Sequence, residues 1–340
     1  MPTRMSNEVI SAVRRDRLQA MLLALVVIGA SVKSYTLYAS TLDSVELMPR
    51  TIASGQGLAP NQYRVLVPLL WRGAVALGIG PDAAERAIVA FSILFCYGVL
   101  AAVLYRASRS MPVASVCLLA FYGAAASGFW FRNRDVFFDA AFTAIGMDIV
   151  VQPSPRWLLY AIVSAAASLN RETWFFSLIA AGVSRWFDAG GARALLKRGR
   201  RDIFGLAAAA IVTIATAAGL RAVYGIRPYH YPPWQYGSNA KLLLVTVTLR
   251  SSLGQAIWFA GSGVFAVWAI FALAGLARHR PFVLGFMGSL LVVSFFVSNW
   301  YEARIFTAGY VVLLVSISGG LTTRPETTEP STRHPAVSGV

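Results

Sequence analysis

The stretch SLNRETWFF, residues 168 to 176, sets Asn170, Arg171, Glu172 and Thr173 between two apolar runs. Residues 157 to 187 are too few for two full membrane-crossing helices of about 20 residues each plus a turn. Reading them as one helix would put the basic cluster Arg193, Lys197, Arg198, Arg200 and Arg201 on the side opposite the other basic loops. Two short helices with a break at 170 to 173 are therefore expected, with the polar group recessed below the surface. Irregular backbone at that depth is tolerated only where protein or a water-filled cavity surrounds it. A local role exists as well, since Asn170 can cap the second helix and Glu172 complements its dipole.

The surroundings decide the class. Of 340 residues, 57% are hydrophobic and 13% charged, and the mean hydropathy is +0.60, outside the range of soluble domains. Apolar runs near 18 to 38, 84 to 105, 111 to 130, 136 to 151 and 157 to 169 read as membrane spans, followed by 173 to 187, 203 to 223, 255 to 276, 282 to 299 and 305 to 321. The expected fold is an all-α polytopic transmembrane bundle of about ten spans. It forms a single domain over residues 1 to 321, without internal repeats and with a disordered tail from 322 to 340 rich in Thr, Pro and Ser.

A net charge of +15 would suggest nucleic acid in a soluble protein. Here the basic residues flank apolar runs, as inner-leaflet contacts and topology signals do, so membrane lipids are the expected partner and nucleic acid is not. Arg14, Arg15 and Arg17 precede the first run and no cleavage site follows, which favours an uncleaved anchor with a cytoplasmic N-terminus. A bacterial cytoplasmic membrane is the expected location. Cys96 and Cys117 lie inside apolar runs without metal-ligand spacing and read as packing residues.

With that topology Asp43, Glu46, Arg64, Arg132, Arg134, Asp135, Asp139, Arg171, Glu172, Glu302 and Arg304 share the outer half. Ionisable groups within a membrane cost about 2.5 to 3.5 kcal/mol each on insertion scales, and they usually mark a cavity with a function. Asp43 and Glu46, three apart in the first outer loop (39 to 83), can face one side of a short helix. One of them can accept a proton from an acceptor hydroxyl, or the pair can form a capping box. Arg64 suits a lipid phosphate or simple snorkelling to headgroups, and Trp71 suits an interfacial anchor.

Asp135 and Asp139 lie one helical turn apart at the start of a span, where Asp135 also complements the dipole. Glu302 and Arg304 sit in a tight turn and can pair with Arg171 and Glu172 as a structural network. His230, among Tyr229, Tyr231, Trp234 and Tyr236 in a second outer loop (224 to 254), belongs to rings that can stack on sugars or form an interfacial belt. No cluster has metal-ligand spacing, so no metal site is assigned, while assistance by a divalent ion stays open.

On LDSVELMPRTIASGQG followed by NQYRVLVPLL, the chain resembles the GT-C superfamily of integral-membrane glycosyltransferases, which use polyprenyl-phosphate-linked sugars. In that superfamily the first outer loop carries the catalytic acid and an interfacial helix. The resemblance implies Asp43 as base, with Glu46 second; adjacent acids are usual in the family, and here Ser44 and Val45 separate them. It implies a polyprenyl-phosphate-linked sugar as donor and a glycan, lipid or protein as acceptor. Arg64, Arg171 or Arg304 would steady the departing phosphate. Asp139, Glu172, His230 and Glu302 are further candidates for substrate contact. Rival readings are a transporter or flippase, a polymerase or ligase of lipid-linked glycans, and a non-catalytic assembly subunit.

Overall fold

The structure is a computed structural model that describes residues 2–40, 64–127, 134–171, 173–225, 264–274, 277–297 and 306–322. Among these residues the chain forms twelve helices. They are α1 (Pro2–Ala39), α2 (Leu66–Ala76), α3 (Pro81–Ser108), α4 (Met111–Ser127), α5 (Arg134–Val150) and α6 (Trp157–Asn170), then α7 (Trp174–Asp188), α8 (Ala192–Arg198), α9 (Arg200–Tyr224), α10 (Val264–Leu273), α11 (Arg280–Val297) and α12 (Thr307–Leu321).

The expectation of about ten spans is corrected. Three of the described helical segments are long and apolar enough to cross a membrane: Val13–Ala39 of α1, α3 and α9. The other expected spans coincide with shorter helices, such as α6 with 14 residues and α7 with 15, which rise only about 21 to 23 Å against a hydrocarbon core of about 30 Å. In α5 and α12 the apolar runs that suggested spans are consumed by packing. From Thr307 to Gly320, α12 is buried at all but one position, and Val136, Phe137, Ala140, Ala141, Ala144 and Met147 of α5 are fully buried. A helix apolar on every side and enclosed by neighbours is a core helix. By contrast, the most apolar windows of α1 and α9 are each only 17% buried. They expose Leu18, Leu22, Leu25 and Ile28 on α1 and Phe204, Ile211 and Ile214 on α9. Apolar surface of this extent suits membrane association.

Local chemistry sets the helix ends. α3 opens with Pro81 at its first position and Asp82 in its first turn, and carries Arg106 in its last turn, all favourable to backbone geometry and dipole. It closes at Arg109 in a left-handed conformation, φ 53°. The buried Arg185 of α7 ends α5: its Nη2 donates to the carbonyls of Val150 and Gln152, and its Nη1 lies 3.5 Å from Asp188. α12 is the central strut, packed against α3, α4, α5, α10 and α11. The α6–α9 contact is close because Gly205 lies directly on the Trp157 ring, leaving no room for a Cβ. Trp157 Nε1 also donates to Asp202 at 3.0 Å.

These contacts give the bundle two distinct ends. At the basic end Arg106 pairs with Asp148 at 3.0 Å, Arg201 reaches Ser154 at 3.2 Å, and the Arg278 side chain lies against Gly319. The middle of α1 meets the start of α4 there, Leu22, Leu25 and Val26 facing Pro112 and Ser115 across a groove. At the opposite, polar end, Tyr38 of α1 donates to Glu85 of α3 at 3.0 Å, and Val67, Ile88 and Phe138 join α2, α3 and α5 in a small apolar cluster. Both flanks of segment 41–63, Ser40 and Arg64, are therefore held at the polar end.

Candidate functional site

Four charged side chains meet at the polar end. The backbone break expected at residues 170 to 173 is present: α6 ends at Asn170, Arg171 is extended (φ −155°, ψ 147°), and α7 starts at Trp174. An extended residue between two helices turns its side chain away from both helical faces, and here it reaches into α5. Arg171 Nη1 lies 3.2 Å from Asp139 Oδ2 and its Nε lies 3.4 Å from Asp135 Oδ2. Asp135 and Asp139 can share one guanidinium because they stand one turn apart on the same face of α5. Arg64, just ahead of α2, places Nη1 3.3 Å from the same Asp135 oxygen.

Burial grades along this chain of charges. Arg171 and Asp139 are 3% and 4% exposed, whereas the side chains of Arg64 and Asp135 keep 14% and 15%. Both oxygens of Asp139 are engaged, one by Arg171 and the other by the Thr173 hydroxyl, which donates at 3.0 Å. Asp139 thus anchors Arg171 from below, while the Asp135–Arg64 pair forms the outer layer. Two arginines and two aspartates leave the quartet formally neutral, as burial requires: a lone charge at this depth would carry a desolvation penalty of several kcal/mol.

Asn170 does not cap α7. It is the last residue of α6, and its Nδ2 donates to the Asp135 carbonyl at 2.9 Å, pinning the end of α6 to the start of α5. Its buried Oδ1 has no hydrogen-bond partner among the described residues. Thr173 occupies the cap position without a side-chain cap bond and spends its hydroxyl on Asp139 instead.

Of the expected site residues, the structure brings Arg64, Asp139 and Arg171 together and adds Asp135. Asp43, Glu46, Glu172, His230, Glu302 and Arg304 lie outside the described residues, as do the pairings expected of Glu302 and Arg304. Trp71 ties α2 to α3, its Nε1 donating to the Pro81 carbonyl at 3.1 Å.

Sequence reasoning missed Glu85. In PDAAER it reads as one more charge near the start of a helix, yet it is 6% exposed and accepts from the buried Tyr38 hydroxyl. A carboxylate inside the apolar run from 84 to 105 was the available signal. Among the described residues no three His, Cys, Asp or Glu side chains gather as a metal site. Cys96 and Cys117 are free and buried. No protein-family model, curated relative or solved structure matches the chain.

Proposed function

We propose that the chain is a membrane glycosyltransferase that moves a sugar from a polyprenyl-phosphate donor to an acceptor hydroxyl, at the polar end of the bundle. The observation that supports this reading is the Arg64–Asp135–Arg171–Asp139 quartet, buried at Arg171 and Asp139, at the end where both flanks of segment 41–63, which carries Asp43 and Glu46, are held. In the reaction the acceptor oxygen attacks the anomeric carbon and the bond from that carbon to the phosphate oxygen breaks. The acceptor proton passes to Asp43 or Glu46, and the polyprenyl phosphate departs with the bonding pair. Arg64, in the more accessible layer, carries the charge contact to the phosphate, and Arg171, locked by two aspartates, keeps that layer in place. A periplasmic face of a bacterial cytoplasmic membrane is the setting this reading gives.

The test is sugar transfer by protein reconstituted in vesicles with a radiolabelled polyprenyl-phosphate sugar. Asp43→Asn is expected to abolish transfer with folding intact. Activity in Asp43→Asn with loss in Glu46→Gln moves the base to Glu46, and full activity in both variants refutes the carboxylate mechanism. One observation favours a second, purely structural reading of the quartet, namely its charge balance. On that reading Arg64→Gln lowers stability and leaves donor turnover untouched.

A further inference from the structure

The corner from α7 through α8 into α9 has no part in the proposed reaction, and it combines two kinds of side chain that a soluble surface keeps apart. Trp186 and Phe187, at the end of α7, are 45% and 56% exposed, with ring centroids 5.0 Å apart. Gly190 and Gly191 follow with φ of 78° and 119°. Both angles are ones that residues with a Cβ avoid, and they turn the chain from α7 into α8. On α8, Arg193, Leu196 and Lys197 stand at i, i+3 and i+4, so they share one face. All three are exposed, Leu196 at 67%. After a single linking residue, Gly199, comes α9, whose first residues Arg200 and Arg201 precede the exposed Phe204.

We infer that this corner is a docking surface for an anionic phospholipid leaflet. The cations of α8 and of the start of α9 meet headgroup phosphates, while Trp186, Phe187 and Leu196 sit at the boundary of the acyl chains. Position argues for a leaflet over a soluble polyanion: α9 is a candidate span beginning at Arg200, so α8 is fixed by one residue to the point where a crossing helix meets the surface. Charge argues the same way, since Arg193, Lys197 and Arg200 have no carboxylate partner among the described residues, and the nearby Asp188 and Asp202 are engaged by Arg185 and Trp157. Exposed indole and phenyl rings beside unpaired cations are the side-chain set of a headgroup zone, and each cation there contributes about a fivefold preference for anionic lipid.

The test uses the full chain with Leu196→Cys, which a maleimide-linked environment-sensitive dye can label selectively because Cys96 and Cys117 are buried. The labelled protein is placed in nanodiscs of phosphatidylcholine alone or with one-third phosphatidylglycerol. Dye emission is expected to shift to the blue in the anionic discs, with quenching by a shallow spin-labelled lipid. Neutralising Arg193 and Lys197 to Gln should lower the embedded fraction about fivefold for each cation removed. A parallel label at exposed Leu158 of α6 reports whether the variants keep their fold. Water-like emission in both disc types, or an embedded fraction indifferent to the Gln substitutions in a folded protein, overturns the inference. Binding of a soluble polyanion with no change on adding anionic lipid also overturns it.

Discussion

Replacing Arg171 by Met keeps much of the side-chain length and removes the charge that two aspartates share. Arg171 is 3% exposed and Asp139 4%, so the substitution leaves the Asp139 carboxylate buried with only the Thr173 hydroxyl at 3.0 Å. Breaking a buried pair by removing one partner costs about 3 to 5 kcal/mol, because the remaining charge stays desolvated. Removing both charges, with Arg171→Met and Asp139→Leu together, eliminates that orphan and leaves Asp135 with Arg64 at 3.3 Å. The double variant should therefore be more stable than Arg171→Met alone, with a coupling of about 2 to 3 kcal/mol between the two sites. The assay is thermal or denaturant unfolding of the four proteins of the cycle in one detergent, where the single Arg171→Met substitution should lower the midpoint by roughly 5 to 10 °C. A loss below about 1 kcal/mol, the range of solvent-exposed pairs, or strictly additive single effects would refute the reasoning that the quartet is a desolvated network.

Other parts of the fold yield further expectations. His279, in the link between α10 and α11, is held near a pKa of about 4 by burial and by the neighbouring Arg278. The unfolded chain therefore binds its proton first as pH falls. The stability present above about pH 6.5 should decline towards pH 4 by at most about 3 kcal/mol, and His279→Asn, suited to the positive φ of 55°, should flatten that part of the unfolding profile. Gly205→Leu drives a side chain into the Trp157 ring and should destabilise by about 1 to 3 kcal/mol, whereas the same change at Gly219, which has open space, should be nearly neutral in a melting experiment.

The helical class and the break at residue 171 were legible from the apolar runs and from the polar residues 170 to 173 that interrupt them. The shared face of Asp135 and Asp139 followed from helical spacing alone. The number of spans was not legible, because hydropathy reports how apolar a run is and not what covers it. In α12 the covering is other helices, Thr307 to Gly320 being buried at all but one position, while in α9 the apolar residues face outward. The partner of Arg171 was beyond a local reading for a related reason. Glu302 was plausible for it by sidedness, as Arg304 was for Glu172, but the pairing of Arg171 with Asp135 and Asp139 depends on how α6 and α7 lie against α5. Glu85 escaped notice because burial of its carboxylate depends on Tyr38, which is 47 residues away in the chain.

Mapping where a photoreactive polyprenyl phosphate attaches tests the proposed donor site without relying on turnover. A diazirine near the phosphate, activated in protein-containing vesicles and located by mass spectrometry, should label the polar end around Arg64 to Trp71 and Asp135 to Asp139. Labelling should fall when unmodified polyprenyl phosphate competes and should be weak with the corresponding polyprenol. Labelling confined to the basic end around Arg193 to Arg201, or equal labelling by phosphate and alcohol, would contradict a donor-phosphate site built on the arginine–aspartate quartet.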